Sequence, residues 1–411
     1  MTTATKIPVN GWPDIDKVPR AYFRAALCQG LARRAVRGLA MRMEYGLAGG
    51  TADTAPVLRV NRSKDFFRRL GAGGLIGFGE SYMAGDWEAD DLPAVLTALA
   101  TRLDTFVPRS VQRLRGVLPP RLPDTDRGTI EGAKRNIHRH YDLSNSMFAA
   151  FLDETMTYSS ALFPEGPTGV PEATVQNLAA AQRRKIDRLL DQARVSSGTR
   201  LLEIGTGWGE LAIRAARRGA AVTSITISDE QLTLARGRVD SHGLSELVDI
   251  RLCDYREITG AYDAIVSVEM IEAVGPDYWA EYFHVLAERL VPGGLIALQA
   301  ITMPHHRLLA MMNTRTWISK YIFPGGRIPS PTAIEENLGR LRITDRFSMR
   351  SHYAETLRLW RERYLHEVET IGALGFDEIF HRMWTFYLAY CEAGFRSDQL
   401  DVWQLTLAHK D

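Results

Sequence analysis

The sequence predicts an α/β fold with a doubly wound, mostly parallel sheet, preceded by a smaller α+β segment. Three observations carry this. Short apolar runs alternate with helical stretches between residues 201 and 299, the pattern of βαβ units. Three glycines at alternate positions follow the first of these runs. A stretch at 116–124 packs three prolines and a glycine into nine positions and reads as a break between domains.

In chain order, residues 17–43 read as a helix, with Ala, Leu and Met between basic positions. Residues 56–60 read as a strand and 71–79 as a flexible glycine-rich turn. The expected division is 1–115 for the first domain, 116–135 for the linker and 136–411 for the second domain. Within the latter, 201–204 is a strand, 210–218 a helix, 221–227 a strand and 229–238 a helix. Further strands fall at 248–252, 264–268 and 295–299, with a helix near 277–290 before the last. The tail is helical from about 354 to 395 and closes on a strand at 402–407.

Composition narrows the functional classes. Hydrophobic residues make up 45% of the 411 and charged residues 24%, which supplies an ordinary globular core and excludes a disordered or fibrous chain. Lys and Arg total 50 against 49 Asp and Glu, so no global charge points to nucleic acid. The local balance differs: Lys17, Arg20, Arg24, Arg33, Arg34, Arg37 and Arg42 occur with no acid between Lys17 and Met43. Three scattered cysteines argue for a reducing compartment and against a disulfide framework or a zinc site. No run approaches the ~20 apolar residues of a membrane span, and residues 1–10 lack the apolar core of a secretory leader. The expectation is a soluble, cytoplasmic chain that docks peripherally on the inner face of a membrane.

The sharpest motif is Leu201-Leu202-Glu203-Ile204-Gly205-Thr206-Gly207-Trp208-Gly209. Alternate glycines between a strand and a helix let the backbone turn tightly and approach a ligand. The spacing is not that of a dinucleotide loop, and no Arg or Lys stands in it to meet a pyrophosphate. Glu203, two before the first glycine, can pair with a cationic ligand. This favours S-adenosylmethionine over NAD, with a purely structural turn as the plain alternative. At the end of the second strand, Thr226, Ser228 and Gln231 offer groups for a ribose, while Ser228 or Asp229 can equally cap the next helix. Tyr255 and Arg256 follow the third strand, where they either flank an adenine or belong to a solvated loop.

Several segments together resemble the cyclopropane fatty acid synthases and related S-adenosylmethionine-dependent lipid methylases. They are His140-Tyr141-Asp142-Leu143-Ser144-Asn145, Met156-Thr157-Tyr158-Ser159-Ser160, the glycine loop with Trp208, and the stretches at 226–231, 266–275, 317–326 and 386–396. Gly79-Glu80-Ser81-Tyr82-Met83-Ala84-Gly85-Asp86-Trp87 resembles the N-terminal lipid-handling domain of the longer members. The resemblance implies a Rossmann-like class I methyltransferase with a seven-stranded sheet. It assigns Tyr158 and Ser159 to the methionine portion of the cofactor, Gly205, Gly207 and Gly209 to a backbone cradle, Thr226 and Gln231 to the ribose, and Tyr255 with Arg256 to the adenine region. It implies an unsaturated phospholipid acyl chain as substrate and an anionic membrane surface as partner. A separate reductase and a homo-oligomer are compatible with it; nucleic acid is not expected.

The family holds a bicarbonate ion as base with Cys, Glu, His and Tyr side chains and a backbone group beside an Ile. The matching positions are Ser160, Glu272, Gln299, Tyr353 and Ile301, so serine replaces cysteine and glutamine replaces histidine. The family's Glu-His pair reads Glu272-Ala273. An imidazole able to handle a proton is absent, so methyl transfer is better supported than ring closure. Cys391 matches a position once suspected as a nucleophile; a buried structural thiol is the plainer reading. The rival classes are a dinucleotide oxidoreductase and a catalytically silent lipid-binding relative.

Overall fold

The computed structural model describes residues 12–36, 38–46, 55–102, 144–167, 169–312 and 314–410, and these pack as two units. The first takes the described residues up to 102 together with Thr314–Ile322 and Trp360–Gln399. The second takes those from 144 to 312, with 323–359 and 400–410. The chain therefore leaves the second unit and re-enters it twice, whereas the sequence reading divides it once, at 116–135, a stretch outside the described residues.

In the first unit β1 (Arg42–Tyr45) pairs in parallel with β2 (Val57–Val60), and β2 pairs antiparallel with β3 (Trp87–Ala89). The helices Ser63–Gly73, Leu75–Met83 and Leu92–Ala100 supply much of its core. Phe78 stacks on Trp87 at 4.7 Å, and Trp317 meets Phe386 edge-on at 4.8 Å. Buried Arg69 donates to Asp86 and to the carbonyls of Asp14 and Ile15, so the cation is fully engaged. The expected flexible turn at 71–79 is helical, broken only at Gly74 with φ 56°. These glycines serve close packing: a Cβ on Gly71 would meet the Arg24 backbone at 2.8 Å, and one on Gly79 the Trp317 ring at 2.5 Å. The basic helix spans Tyr22–Val36, shorter than read, because the chain turns into β1. Phe23 (85% exposed), Leu27 and Leu31 stand in solvent four residues apart, hence on one face, with Arg20, Arg24 and Arg34 also exposed.

The second unit carries β4 (Arg200–Ile204), β5 (Ala221–Thr226), β6 (Val248–Leu252), β7 (Tyr262–Val268), β8 (Leu290–Thr302), β9 (Leu341–Ser348) and β10 (Asp401–His409). Their order is β6-β5-β4-β7-β8-β10-β9, with β10 alone running against the rest. Both faces are covered, as parallel sheets require. Leu202, Ile204, Ile265 and Leu298 face one core with Tyr282 and Phe283, while Leu201, Val222, Val266 and Ala297 face the other with Ile213. The elements that the sequence reading lacks include the helix Leu178–Gln192 and the edge strand β9, whose residues are mostly exposed. The helical tail is three helices, Arg350–His366, Val368–Ala373 and Glu378–Arg396, divided by turns.

Candidate active site

The carboxyl end of β4 runs into the glycine turn. Gly205, Gly207 and Gly209 have φ of 95°, 52° and 91°, a region that side-chained residues avoid. A Cβ on Gly205 would strike the Met270 side chain at 2.6 Å, and one on Gly209 would press on Ala235 at 3.2 Å. Nothing lies within 4 Å of a Cβ built at Gly207, so that side of the turn is open. The turn thus fits a ligand that needs close backbone approach.

Around it, Thr226 Oγ1 donates to Gln231 Oε1 at 2.9 Å, and Ser228 caps the Asp229–Ser241 helix through Gln231 N. Tyr255 presents its ring edge-on to Tyr282 at 5.2 Å, and its buried hydroxyl has no hydrogen-bond partner among the described residues. Arg256 is committed to Asp254, both at 2.8 Å. Trp208 is buried: its Nε1 donates to Asn145 Oδ1 at 2.8 Å, and its ring packs 5.1 Å from Phe148, which in turn meets Tyr158 at 5.1 Å. Ser159 accepts from Lys185 Nζ at 2.6 Å.

Glu203 does not stand open as a counter-ion. It is buried in β4, where Ser224 Oγ donates to its Oε2 at 2.5 Å and burial pushes its carboxyl up to about 8. Lys185, which the sequence reading missed, is buried near Glu269, Asp153 and Glu203; burial lowers its ammonium to about 8 against their pull. Its signal is a Gln182–Lys185 pair on the otherwise apolar face of Leu178–Gln192.

The residues expected to hold an anion converge on a different carboxylate. Glu269, directly after β7, accepts from Ser160 N (3.1 Å), Gln299 Nε2 (2.8 Å) and Tyr353 Oη (2.7 Å). The Ser160 hydroxyl turns away to the Ala161 carbonyl at 3.1 Å. Glu269 has φ 51°, and its N–H donates to the Gln299 carbonyl at 2.8 Å, so the strained backbone is clamped. Burial raises its carboxyl above the ordinary range, against the pull of Tyr353, Lys185, Gln299 and Ser160. Glu272 takes the Ile301 N–H on Oε1, and its buried Oε2 has no hydrogen-bond partner among the described residues. Burial first and the Glu269 charge second push Glu272 up to about 8. Glu269 and Glu272 are thus two neighbouring carboxyls in one site, and the three donors on Glu269 favour its charged form. The donors around the expected anion site are already engaged by the chain itself: the Ser160 N–H, the Gln299 amide, the Tyr353 hydroxyl and the Ile301 N–H meet the chain's own carboxylates, and the Ser160 hydroxyl meets the Ala161 carbonyl. The set does not fit a further anion. Glu269 stands within the 266–275 motif, and its signal is an acid at the carboxyl edge of a buried parallel strand. Cys391 belongs to the first unit, and burial pushes its thiol up to about 12, so it is not a thiolate at neutral pH.

A glycine turn at the carboxyl end of β4, in a seven-stranded sheet reversed only at β10, defines an S-adenosylmethionine-dependent methyltransferase of class I fold. Comparison with known proteins narrows the class. The family model for mycolic acid cyclopropane synthetase matches residues 129–405, and the chain belongs to that family. It is 54% identical to a tuberculostearic acid methyltransferase of Mycobacterium tuberculosis over 99% of this chain and 97% of the relative. It is 35% identical to the cyclopropane-fatty-acyl-phospholipid synthase of Escherichia coli over 84% of this chain and 86% of that one. Among solved structures, a mycolic acid cyclopropane synthase complexed with SAH and CTAB superposes with a TM-score of 0.60 at 30% identity, covering 67% of this chain and 98% of that one.

Proposed function

We propose that this enzyme transfers a methyl group from S-adenosylmethionine to the double bond of an unsaturated acyl chain in a phospholipid, giving a methylene-branched chain. The carrying observation is the carboxylate pair Glu269 and Glu272 at the edge of the sheet beside the glycine turn, with no imidazole at 273 or 299. The whole-length relative at 54% identity is named for tuberculostearic acid rather than for a cyclopropane, which supports a branched outcome.

The cofactor supplies an electrophilic methyl. Gly205, Gly207 and Gly209 cradle it by backbone, Thr226, Ser228 and Gln231 face the ribose, and the Tyr255 ring and hydroxyl, braced by Arg256, face the adenine. Tyr158 and Ser159 border the methionine portion. Methylation leaves a cation on the acyl chain, which aromatic faces tolerate without bonding to it. If a hydride shifts first, loss of a methyl proton gives an exocyclic methylene; if it does not, the ring closes. A separate reductase would convert the methylene to a methyl branch.

The enzyme meets its substrate at the inner face of a membrane. No described helix is long and apolar enough to cross one, and the Tyr22–Val36 helix offers Phe23, Leu27 and Leu31 beside exposed arginines for interfacial docking. Mass and proton spectra of lipids from a host fed labelled methionine test the reading. One added carbon with vinylic signals is expected. Upfield ring signals alone would move the product to a cyclopropane, and unlabelled lipids would overturn the function.

A further inference from the structure

We infer that Glu269 is itself the base of this enzyme, a carboxylate built into the chain in the place where the family's resemblance calls for a bound bicarbonate. This rests on the proposed methylation of an acyl double bond.

The geometry argues it in three ways. First, the Ser160 N–H, the Gln299 amide and the Tyr353 hydroxyl all end on Glu269, at 2.7–3.1 Å. A free anion would have to displace a tethered one from its own donors, and the tethered group has already lost its translational freedom on folding. Second, Glu272 lies close enough for the Glu269 charge to raise its pKa, so a third oxyanion would enter against the charge already held there. Third, the position is held at a cost: Glu269 keeps a left-handed backbone at φ 51°, and its own N–H is bonded to Gln299 O. A half-buried acid on a left-handed backbone, held by three donors, is not explained by packing alone.

The step balances without a co-reactant. The alkene π pair forms the new bond to the methyl carbon, and the C–S pair leaves with the sulfur. A hydride then moves, with its electron pair, from the methyl-bearing carbon to the neighbouring cationic carbon. Glu269 takes a proton from the methyl group, and that C–H pair becomes the exocyclic double bond. Glu269 is then a neutral acid, which Tyr353, Gln299 and the Ser160 N–H still position until it returns the proton to solvent.

The test removes bicarbonate rather than the residue. In argon-purged buffer freed of carbon dioxide, the wild-type enzyme should keep its turnover within twofold. Glu269→Gln should lose at least a hundredfold in kcat while binding S-adenosylmethionine as before. Glu269→Gly, whose backbone suits the positive φ, should regain activity with added bicarbonate or formate. Labelled bicarbonate should show a bound carbon-13 resonance with Glu269→Gly and none with the wild type, a readout that needs no turnover. Wild-type turnover that collapses without bicarbonate, or a bound bicarbonate resonance in the wild type, overturns the inference even if every variant misfolds. Wild-type enzyme that labels no lipid at all defeats the functional reading instead, and the resonance measurement still decides the anion.

Discussion

Gln299 and Gln404 stand opposite each other on β8 and β10, and Gln404 Nε2 donates to Gln299 Oε1 at 3.0 Å. That bond fixes which end of the Gln299 amide meets Glu269, because the oxygen is taken and only the nitrogen is left to donate. Arg188 Nη1 in turn donates to Gln404 Oε1 at 2.8 Å, which orients the second amide. Gln404→Leu should therefore let the Gln299 amide turn over. We expect kcat to fall at least tenfold with unchanged affinity for S-adenosylmethionine, and a stability loss of about 1–3 kcal/mol from the orphaned buried groups. Single-turnover kinetics beside calorimetric titration separate the two, and an unaltered kcat would contradict the ordering of the amides.

Gly205→Val puts a branched side chain where φ is 95° and where Met270 already lies within 2.6 Å of the first added carbon. Cofactor affinity should fall more than a hundredfold. Titration calorimetry on a variant with a native circular dichroism spectrum makes the measurement, and wild-type affinity would sink the glycine cradle.

Stability should depend on pH in a definite sense. Glu203 and Glu272 hold their protons up to about 8 in the folded chain, against the ordinary carboxyl range when unfolded. Folding then retains protons that the unfolded chain releases, so this contribution is complete at acid pH and is lost as pH rises toward 8. Lys185 has the opposite sign: it loses its proton near 8 when folded and near its ordinary value when unfolded, so its contribution grows above 8. Glu203→Gln should flatten the decline of urea stability between about pH 5 and 8, by up to about 1.4 kcal/mol per pH unit. Parallel slopes for the two proteins would show that Glu203 is ionised in the fold.

Docking through the Tyr22–Val36 helix should need both its apolar stripe and its charge. Phe23→Ser combined with Leu27→Ser should cut co-sedimentation with anionic vesicles several-fold and leave the melting temperature unchanged, since both side chains are exposed. Raised salt should weaken wild-type binding. Equal binding to neutral vesicles would remove the role assigned to the arginines.

The central strands are legible because both of their faces pack on core, so that apolar neighbours such as Leu201 and Leu202, Ile265 and Val266, and Ala297 and Leu298 stand side by side in the sequence. β9 was missed because its edge position leaves most of its residues in solvent. The glycines at 71–79 misled because a residue without a side chain serves close helix packing as readily as a loop, and only Arg24 and Trp317, distant in sequence, tell the two apart. In the site, the sequence points to the right neighbourhood but not to Glu269, and the Ser160 group that reaches it is the backbone N–H rather than the hydroxyl. Ser160, Gln299, Ile301 and Tyr353 were assigned to one anion, but the fold divides them between Glu269 and Glu272. Which of two acids three residues apart collects a given donor depends on the turn after β7, a backbone detail that residue spacing does not carry.

The first unit is assembled from three separated stretches, and its aromatic core joins Phe78 and Trp87 to Phe386 and Trp317. A single break in the gene at 116–135 would therefore strand Phe386 and Trp317 without their earlier partners, on a product otherwise long enough to hold the whole catalytic sheet. Neither unit is one continuous stretch of chain. A change in any one of the three stretches is therefore answered by residues hundreds of positions away, and no contiguous fragment that ends before 314 holds the complete aromatic core.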